Sequence, residues 1–410
     1  MKSYQDGFMV VSEDGIILDI SSKDPREKYH DYQFKDLSGY AIVPGFVDIH
    51  NHLPQYAFAG IGEKSLLPWL EKYTFPREKR FADDNVAKRA SEIFFRDCLQ
   101  NGTTTTVTYV TTHKSATNIA FEVASKIGIR AFIGKVMMDQ NSPDSLIEES
   151  DKSIQESLDL IEKWHGYNNR LFYIFTPRFA ISCSFDLMRE VGVIAKERDL
   201  YIQTHLSENQ DEIATVQKLF PNSISYTDLY NQAELLGQKS IMAHAIHLTQ
   251  SELDMIIDTQ TKIAHCPTSN RFLGSGIMPL KKYMDRGIDI GLGTDVAGGY
   301  SLSIIHEMRE AIENSKTLSY FSNSSSVITI VEAFYLATLG GAKVLNMDDQ
   351  IGSLEIGKKA DFVLIDYMHL NEMAEEYSTS EEILSRIIYR LEQNSIREVY
   401  IEGQRVFSAS

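Results

Sequence analysis

Apolar runs rich in β-branched and aromatic residues recur along most of this 410-residue chain, each separated from the next by a stretch of helical periodicity. They are VPGFVDIHNH (Val43–His52), TTTTVTYV (Thr103–Val110), IRAFIGKVM (Ile129–Met137), LFYIFT (Leu171–Thr176), LYIQTH (Leu200–His205), SIMAH (Ser240–His244), KIAHC (Lys262–Cys266) and IDIGLGTD (Ile288–Asp295). The apolar character is continuous rather than alternating, which suits strands covered on both faces. Between the runs, Asp83–Gln100 places Val86, Ala87, Ala90, Ile93 and Phe94 on one side and stops at Asn-Gly. Ile147, Ile154, Leu158 and Ile161 repeat at helical spacing, and further helices fit Phe185–Arg198, Asp211–Leu219 and Ser251–Asp258. About eight strands alternating with helices predict an α/β fold closed into a parallel (β/α)8 TIM barrel.

The two ends read differently. GFMVVSEDGIILDI near the start is strand, Asp-Gly turn, strand; ADFVLIDY and REVYIEGQRVF near the end repeat that grammar. The expected organisation is a barrel over residues 41–350, flanked by a small β-sandwich domain built from residues 1–40 and 351–410. No repeat or low-complexity segment interrupts this plan, and SNSSSV near Ser322 reads as a short polar loop.

Hydrophobic residues make up 43% and charged residues 24%, the balance of an ordinary soluble globular protein. A net charge of −17 and a pI near 5.1 argue against nucleic acid or an anionic membrane as partner and favour a small molecule. Three scattered cysteines, Cys98, Cys183 and Cys266, imply no disulfide framework. The chain has no apolar run of membrane-span length, and MKSYQDGFMVV lacks the apolar block of a signal peptide, so a cytoplasmic location is expected.

Barrel enzymes carry their chemistry at the C-terminal ends of the strands. His50 and His52 end the first run two residues apart, and side chains at i and i+2 of a strand share a face. Taken alone, such a pair is more often structural than metal-binding. The fifth run ends in His205 with Glu208 three residues on, the sixth in His244, the eighth in Asp295. Metal-type side chains at the same end of four strands point to a metal centre. A two-ion site would need a bridging Lys or acid at the end of strand four, where FTPRF offers neither, so one ion is expected. Glu208 also fits an acid at a helix N-terminus, favoured by the helix dipole. His30, His113, His165, His247, His306 and His369 stand outside any such group and read as structural or solvated; Cys266, beside His265, reads as a buried thiol.

These residues resemble the amidohydrolase superfamily over nearly the whole chain. PGFVDIHNH is similar to its first-strand signature, and HNHLPQYAFAG, WLEKYTFPREKRF, NGTTTT, TPRFAISCS, THLSEN, AHCPTSN and GLGTDVAGGYS are similar to the members that deaminate guanine. The resemblance implies His50, His52, His205 and Asp295 as ligands of one Zn2+ per chain, with Fe2+ as the other candidate. It implies Gln55, Arg178, Phe179, His244 and Glu208 as substrate-binding residues, with Glu208, Asp295 and His244 catalytic. The implied reaction is hydrolytic deamination of guanine in a homodimer. Rival expectations are a one-metal relative acting on another amino- or chloro-heterocycle, and a non-enzymatic scaffold on the same barrel.

Overall fold

The computed structural model describes residues 2–322, 326–367, 379–391 and 395–409. Eight parallel strands follow in chain order: Phe46–His52, Thr103–Tyr109, Arg130–Gly134, Leu171–Pro177, Tyr201–Leu206, Ser240–His244, Lys262–His265 and Ile290–Leu292. The third resumes after Lys135 as Val136–Met137, which pairs with Thr176 and Pro177. Every residue of the first, second, fifth and sixth strands is buried, because helices cover the sheet outside while side chains fill it inside. Phe94, Phe121, Leu187 and Val191 of the helices share one core with Ile133, Tyr173 and Phe175 of the strands. None of the described helices is long and apolar enough to cross a membrane.

The barrel closes between its last and first strands. Asp295 N–H donates to His50 O at 2.8 Å, and His52 N–H donates to Val296 O at 3.1 Å. The buried Asp48 carboxylate reinforces this seam, accepting from Thr294 N–H at 3.0 Å, the Thr294 hydroxyl at 2.6 Å and Asn51 Nδ2 at 2.9 Å. Burial pushes Asp48 up to about 6, against the downward pull of those hydrogen bonds.

The run beginning at Val43 is two strands. Tyr40–Pro44 pairs antiparallel with Phe362–Asp366, in a four-stranded sheet completed by Ile396–Ile401 and Gln404–Ser408. The chain crosses into the barrel at Gly45, where a Cβ would lie 2.1 Å from Thr104 Oγ1, so no larger residue fits. Hydropathy could not mark this break, since both strands are apolar. The hairpin of Phe8–Val11 and Ile17–Ser21 supplies Ile17 to a small core with Ala360, Phe362 and Leu364. The predicted helices appear as Asp84–Gln100, Ser150–Trp164, Phe185–Glu197, Gln210–Leu219 and Gln250–Asp258; Ile147 precedes its helix and is exposed.

Barrel and terminal sheet are joined by an ion network with a buried pair, Arg130 and Asp361, at its centre. Arg130, fully buried, pairs with Asp361 and reaches Glu402 Oε1 at 3.1 Å, while Arg170 and Lys359 bond Glu402 at 2.6 and 2.7 Å. Burial pushes Glu402 upward, yet the hydrogen bonds from Arg170 and Lys359 bring it down to about 2. Removing one member of a buried pair leaves an uncompensated charge. Arg130→Ala is therefore expected to lower the unfolding free energy by about 3–5 kcal/mol in urea titration. A loss below about 1 kcal/mol would place the pair with surface bridges instead.

Candidate active site

His50, His52, His205 and Asp295 each bring one ligand atom to the C-terminal mouth of the barrel, all within 4.8 Å of one another. His50 Nε2 and His52 Nε2 lie 3.2 and 3.3 Å from Asp295 Oδ1, and His52 Nε2 lies 3.2 Å from His205 Nε2. Ligands bound about 2.0–2.1 Å from a four-coordinate ion stand about 3.3 Å apart, so this spacing fits a divalent cation.

The tautomers fit it too. His205 Nδ1–H donates to the Arg178 carbonyl at 2.7 Å, which turns the Nε2 lone pair to the centre. Gln203 donates through Nε2 to Ile49 O at 2.7 Å and so presents Oε1 to His50 Nδ1–H at 3.0 Å. His50 Nε2 is then buried with no hydrogen-bond partner among the described residues, a costly state that a cation would relieve. Burial pushes His52 down to about 3 and His205 well below its ordinary value, keeping both imidazoles neutral as ligation requires. Ser269 Oγ donates to Asp295 Oδ2 at 2.5 Å. Asp295 and His244 hold left-handed backbone, φ 44° and 69°, a strained state for residues with a Cβ and typical of functional positions.

His244 Nδ1–H donates to Asn270 Oδ1 at 2.8 Å, and its Nε2 stands 3.5 Å from Glu208 Oε2. Glu208 is not the helix-terminal acid its position allowed. Asn209 caps the helix Gln210–Leu219 and Glu212 completes the capping box, its Oε2 accepting the Glu208 and Asn209 amides at 2.8 and 3.1 Å. The Glu208 side chain instead faces the cavity and accepts from Ser275 Oγ at 3.1 Å. Burial, and then the Asp295 charge, push Glu208 up to about 8.

Arg178 and Phe179, from the end of the fourth strand, line the same cavity with Gln55, His205 and Glu208. Trp69, Leu66 and Leu70 close it from the segment 66–82, and Leu273 from the opposite side. Arg178 is buried, its guanidinium 5.3 Å from the Phe75 ring centroid and its Nη1 donating to Glu78 Oε1 and Oε2 at 3.0 and 2.8 Å. Gln55 Nε2 donates to the same Glu78 Oε1 at 3.0 Å.

Every site residue read from the sequence thus lies at this mouth. Of the other histidines, His247 Nε2–H donates to Ser275 O at 2.7 Å, which makes it a support for the Glu208 loop. His113 bonds Thr111, His306 contacts Tyr300, His165 is exposed with its ring against Phe172, and His30 is exposed. Cys266 and His265 are buried, the imidazole pushed down to about 3 by that burial. His369 and residues 323–325 of the polar loop lie outside the described residues. Sequence reasoning missed Glu78, Ser269, Asn270, Ser275 and Gln203. Only Gln203 carried a positional signal, since it stands two residues before His205 on the same strand face.

The profile of the Amidohydrolase family matches residues 41–406. The guanine deaminase of Escherichia coli is 40% identical over 377 residues, covering 91% of this chain and 84% of that protein. The guanine deaminase of Rattus norvegicus is 38% identical over 428 residues, covering 100% of this chain and 94% of the relative. Among solved structures, guanine deaminase from C. acetobutylicum with guanine bound in its active site superposes with a TM-score of 0.94 at 38% identity, covering 98% of this chain and 95% of that one.

Glu208 makes a signed prediction about stability. Its carboxyl ionises near the ordinary 4.5 when unfolded but only at about 8 when folded, so between these values unfolding releases a proton and stability falls as pH rises. Glu208→Gln removes that penalty. The variant is expected to melt above the wild type at about pH 8.5 and to lose the advantage by about pH 5. Equal melting temperatures at both values would mean that Glu208 ionises normally.

Proposed function

The chain belongs to the amidohydrolase family, and on that premise we propose that it hydrolyses guanine to xanthine and ammonia. The observation that carries the proposal is one cavity in which a four-residue cation site meets a buried donor, Arg178, and a carboxyl kept protonated at neutral pH, Glu208.

In this reading His50, His52, His205 and Asp295 hold one Zn2+ ion, which supplies the Lewis acidity that makes water a nucleophile near neutral pH. Asp295 takes the proton of the attacking water. Glu208 donates its proton to a ring nitrogen beside C2, which makes that carbon electrophilic, then takes the proton of the hydroxyl now on C2 and passes it to the departing amine; the proton held by Asp295 finally restores Glu208. His244, between Glu208 and Asp295, hydrogen-bonds the oxygen arriving at C2. Phe179 gives an apolar wall to the ring. Arg178 donates to the C6 oxygen; adenine carries an amino donor there and would leave the guanidinium unpaired. A cytoplasmic location, expected from the sequence, and a homodimer, implied by the family resemblance, complete the proposal.

Purified protein is expected to release ammonia from guanine and to contain one divalent ion per chain, measured by elemental analysis of the same sample. His205→Ala should lose metal and activity together. Two ions per chain, or full metal content in that variant, would overturn the ligand assignment.

Arg178 tests substrate choice. A charge-assisted hydrogen bond contributes about 1.5–3 kcal/mol, so Arg178→Ala should lower kcat/KM for guanine at least about tenfold. 2-Aminopurine, which lacks the oxygen, should suffer much less. Equal losses on both purines, with metal content intact, would remove Arg178 from recognition.

A further inference from the structure

The cavity wall contains a buried carboxylate that no step of the reaction uses. Glu78, 1% exposed, accepts Arg178 Nη1 on both oxygens and Gln55 Nε2 on Oε1. It lies in the segment 75–78, away from the ligand-bearing strand ends. Its contacts have a consequence for the orientation of Gln55. A carboxylate paired with a guanidinium has no proton to donate, so the Gln55 amide can meet it only through its nitrogen. That settles which way round the amide sits. The nitrogen is anchored on Glu78 through one of its two N–H groups, and the oxygen is the acceptor that Gln55, so oriented, has for the cavity it lines. Arg178 shares the same Glu78 oxygen through Nη1 alone, which leaves Nε and Nη2 outside that pair.

We propose that Glu78 is a specificity-determining positioning residue, which fixes Gln55 as an acceptor beside the Arg178 donor. An adjacent donor and acceptor are the complement of a lactam edge, a ring carbonyl next to a ring N–H. Guanine carries that edge at C6 and N1, so the inference rests on the guanine reading and deepens it. A purine with a bare lone pair at N1 would set two acceptors against each other and leave Arg178 unpaired as well. With Gln free to turn, the site could not distinguish these cases. With Glu78 in place, it rejects the second through buried polar groups left unpaired rather than through size.

The test is a ratio, kcat/KM for guanine over kcat/KM for 2-aminopurine, whose N1 is a lone pair and whose C6 bears only hydrogen. In Glu78→Gln the new amide can donate as well as accept, so Gln55 is released to turn its nitrogen inward. The expected result is a fall in the ratio of about tenfold or more, with guanine losing activity while 2-aminopurine holds or gains. A merely structural role for Glu78 would lower both substrates alike and leave the ratio where it was. Gln55→Leu provides the second measurement, because it removes the reader while leaving the Glu78–Arg178 pair. It should lower the ratio on its own, and adding Glu78→Gln to it should change the ratio by less than about twofold. An unchanged ratio in either single variant, with metal content equal to the wild type, overturns the proposal. Failure of the wild type to release ammonia from guanine would instead overturn the functional reading, a result the ratio does not touch.

Discussion

The hydrogen bonds that join the eighth barrel strand to the first decide where the ligands can stand. Asp295 N–H is tied to His50 O, and His52 N–H to Val296 O, so the two histidines and the aspartate are fixed by backbone rather than by their own side chains. The approach is close: a Cβ on Gly293 would lie 2.8 Å from His50 Cβ and 2.9 Å from His50 O, so only glycine lets the strands meet here. Asp48 holds the same seam from beneath with four hydrogen bonds to three residues, and Thr294 supplies two of them. Both Asp48 oxygens are taken up by these hydrogen bonds. The metal-binding geometry above the seam follows from that closure.

The supporting groups around the site repeat one device. Gln203, Ser269, Asn270 and the Arg178 carbonyl each occupy the far side of a functional side chain, leaving the near side for the ligand. Each partner can only accept, or is turned so that it accepts, except Ser269, which donates to a carboxylate. A rotation of His50 or His205 would therefore break a buried hydrogen bond, at roughly 1–3 kcal/mol for each group left unpaired. The Nε2 atoms of His50 and His244 are the other side of the device: buried polar atoms held in place with no hydrogen-bond partner among the described residues.

How much of this was legible in the sequence follows from what each feature depends on. Barrel strands are buried on both faces, so they announce themselves as continuous apolar runs, and the rule that chemistry sits at their C-terminal ends picked out His50, His52, His205, His244 and Asp295 with no structure in view. Gln55 lies in the short 3-10 helix Leu53–Phe58 and Arg178 and Phe179 in the loop after the fourth strand, where spacing carries no information; only family resemblance singled them out. Glu78 escaped even that. It sits between Arg77 and Lys79 within WLEKYTFPREKRF, where the resemblance implies no role for it, and its burial depends on a guanidinium 100 residues further along. The break at Gly45 was equally invisible, since the two strands it separates are both apolar and differ only in which sheet they join.

Burial, finally, serves the site in two opposite ways at once. Removing water disfavours charge on any group, so it lowers the proton affinity of a base and raises that of an acid. His52 and His205 are bases and become lone-pair donors free of protons. Glu208 is an acid and keeps its proton up to about 8, helped by the negative charge of Asp295. A cation ligand must be deprotonated and a proton donor must be protonated, and burial meets both demands because the two groups titrate with opposite sign. Asp295 is the exception that makes this workable. Burial pushes it upward as well, yet it lies well below the usual carboxylate range beside the His50 and His52 rings, whose Nε2 atoms stand 3.2 and 3.3 Å from Oδ1. It therefore stays ionised, and its charge helps to hold the proton on Glu208, with His244 Nε2 3.5 Å from Glu208 Oε2 and 3.8 Å from Asp295 Oδ2.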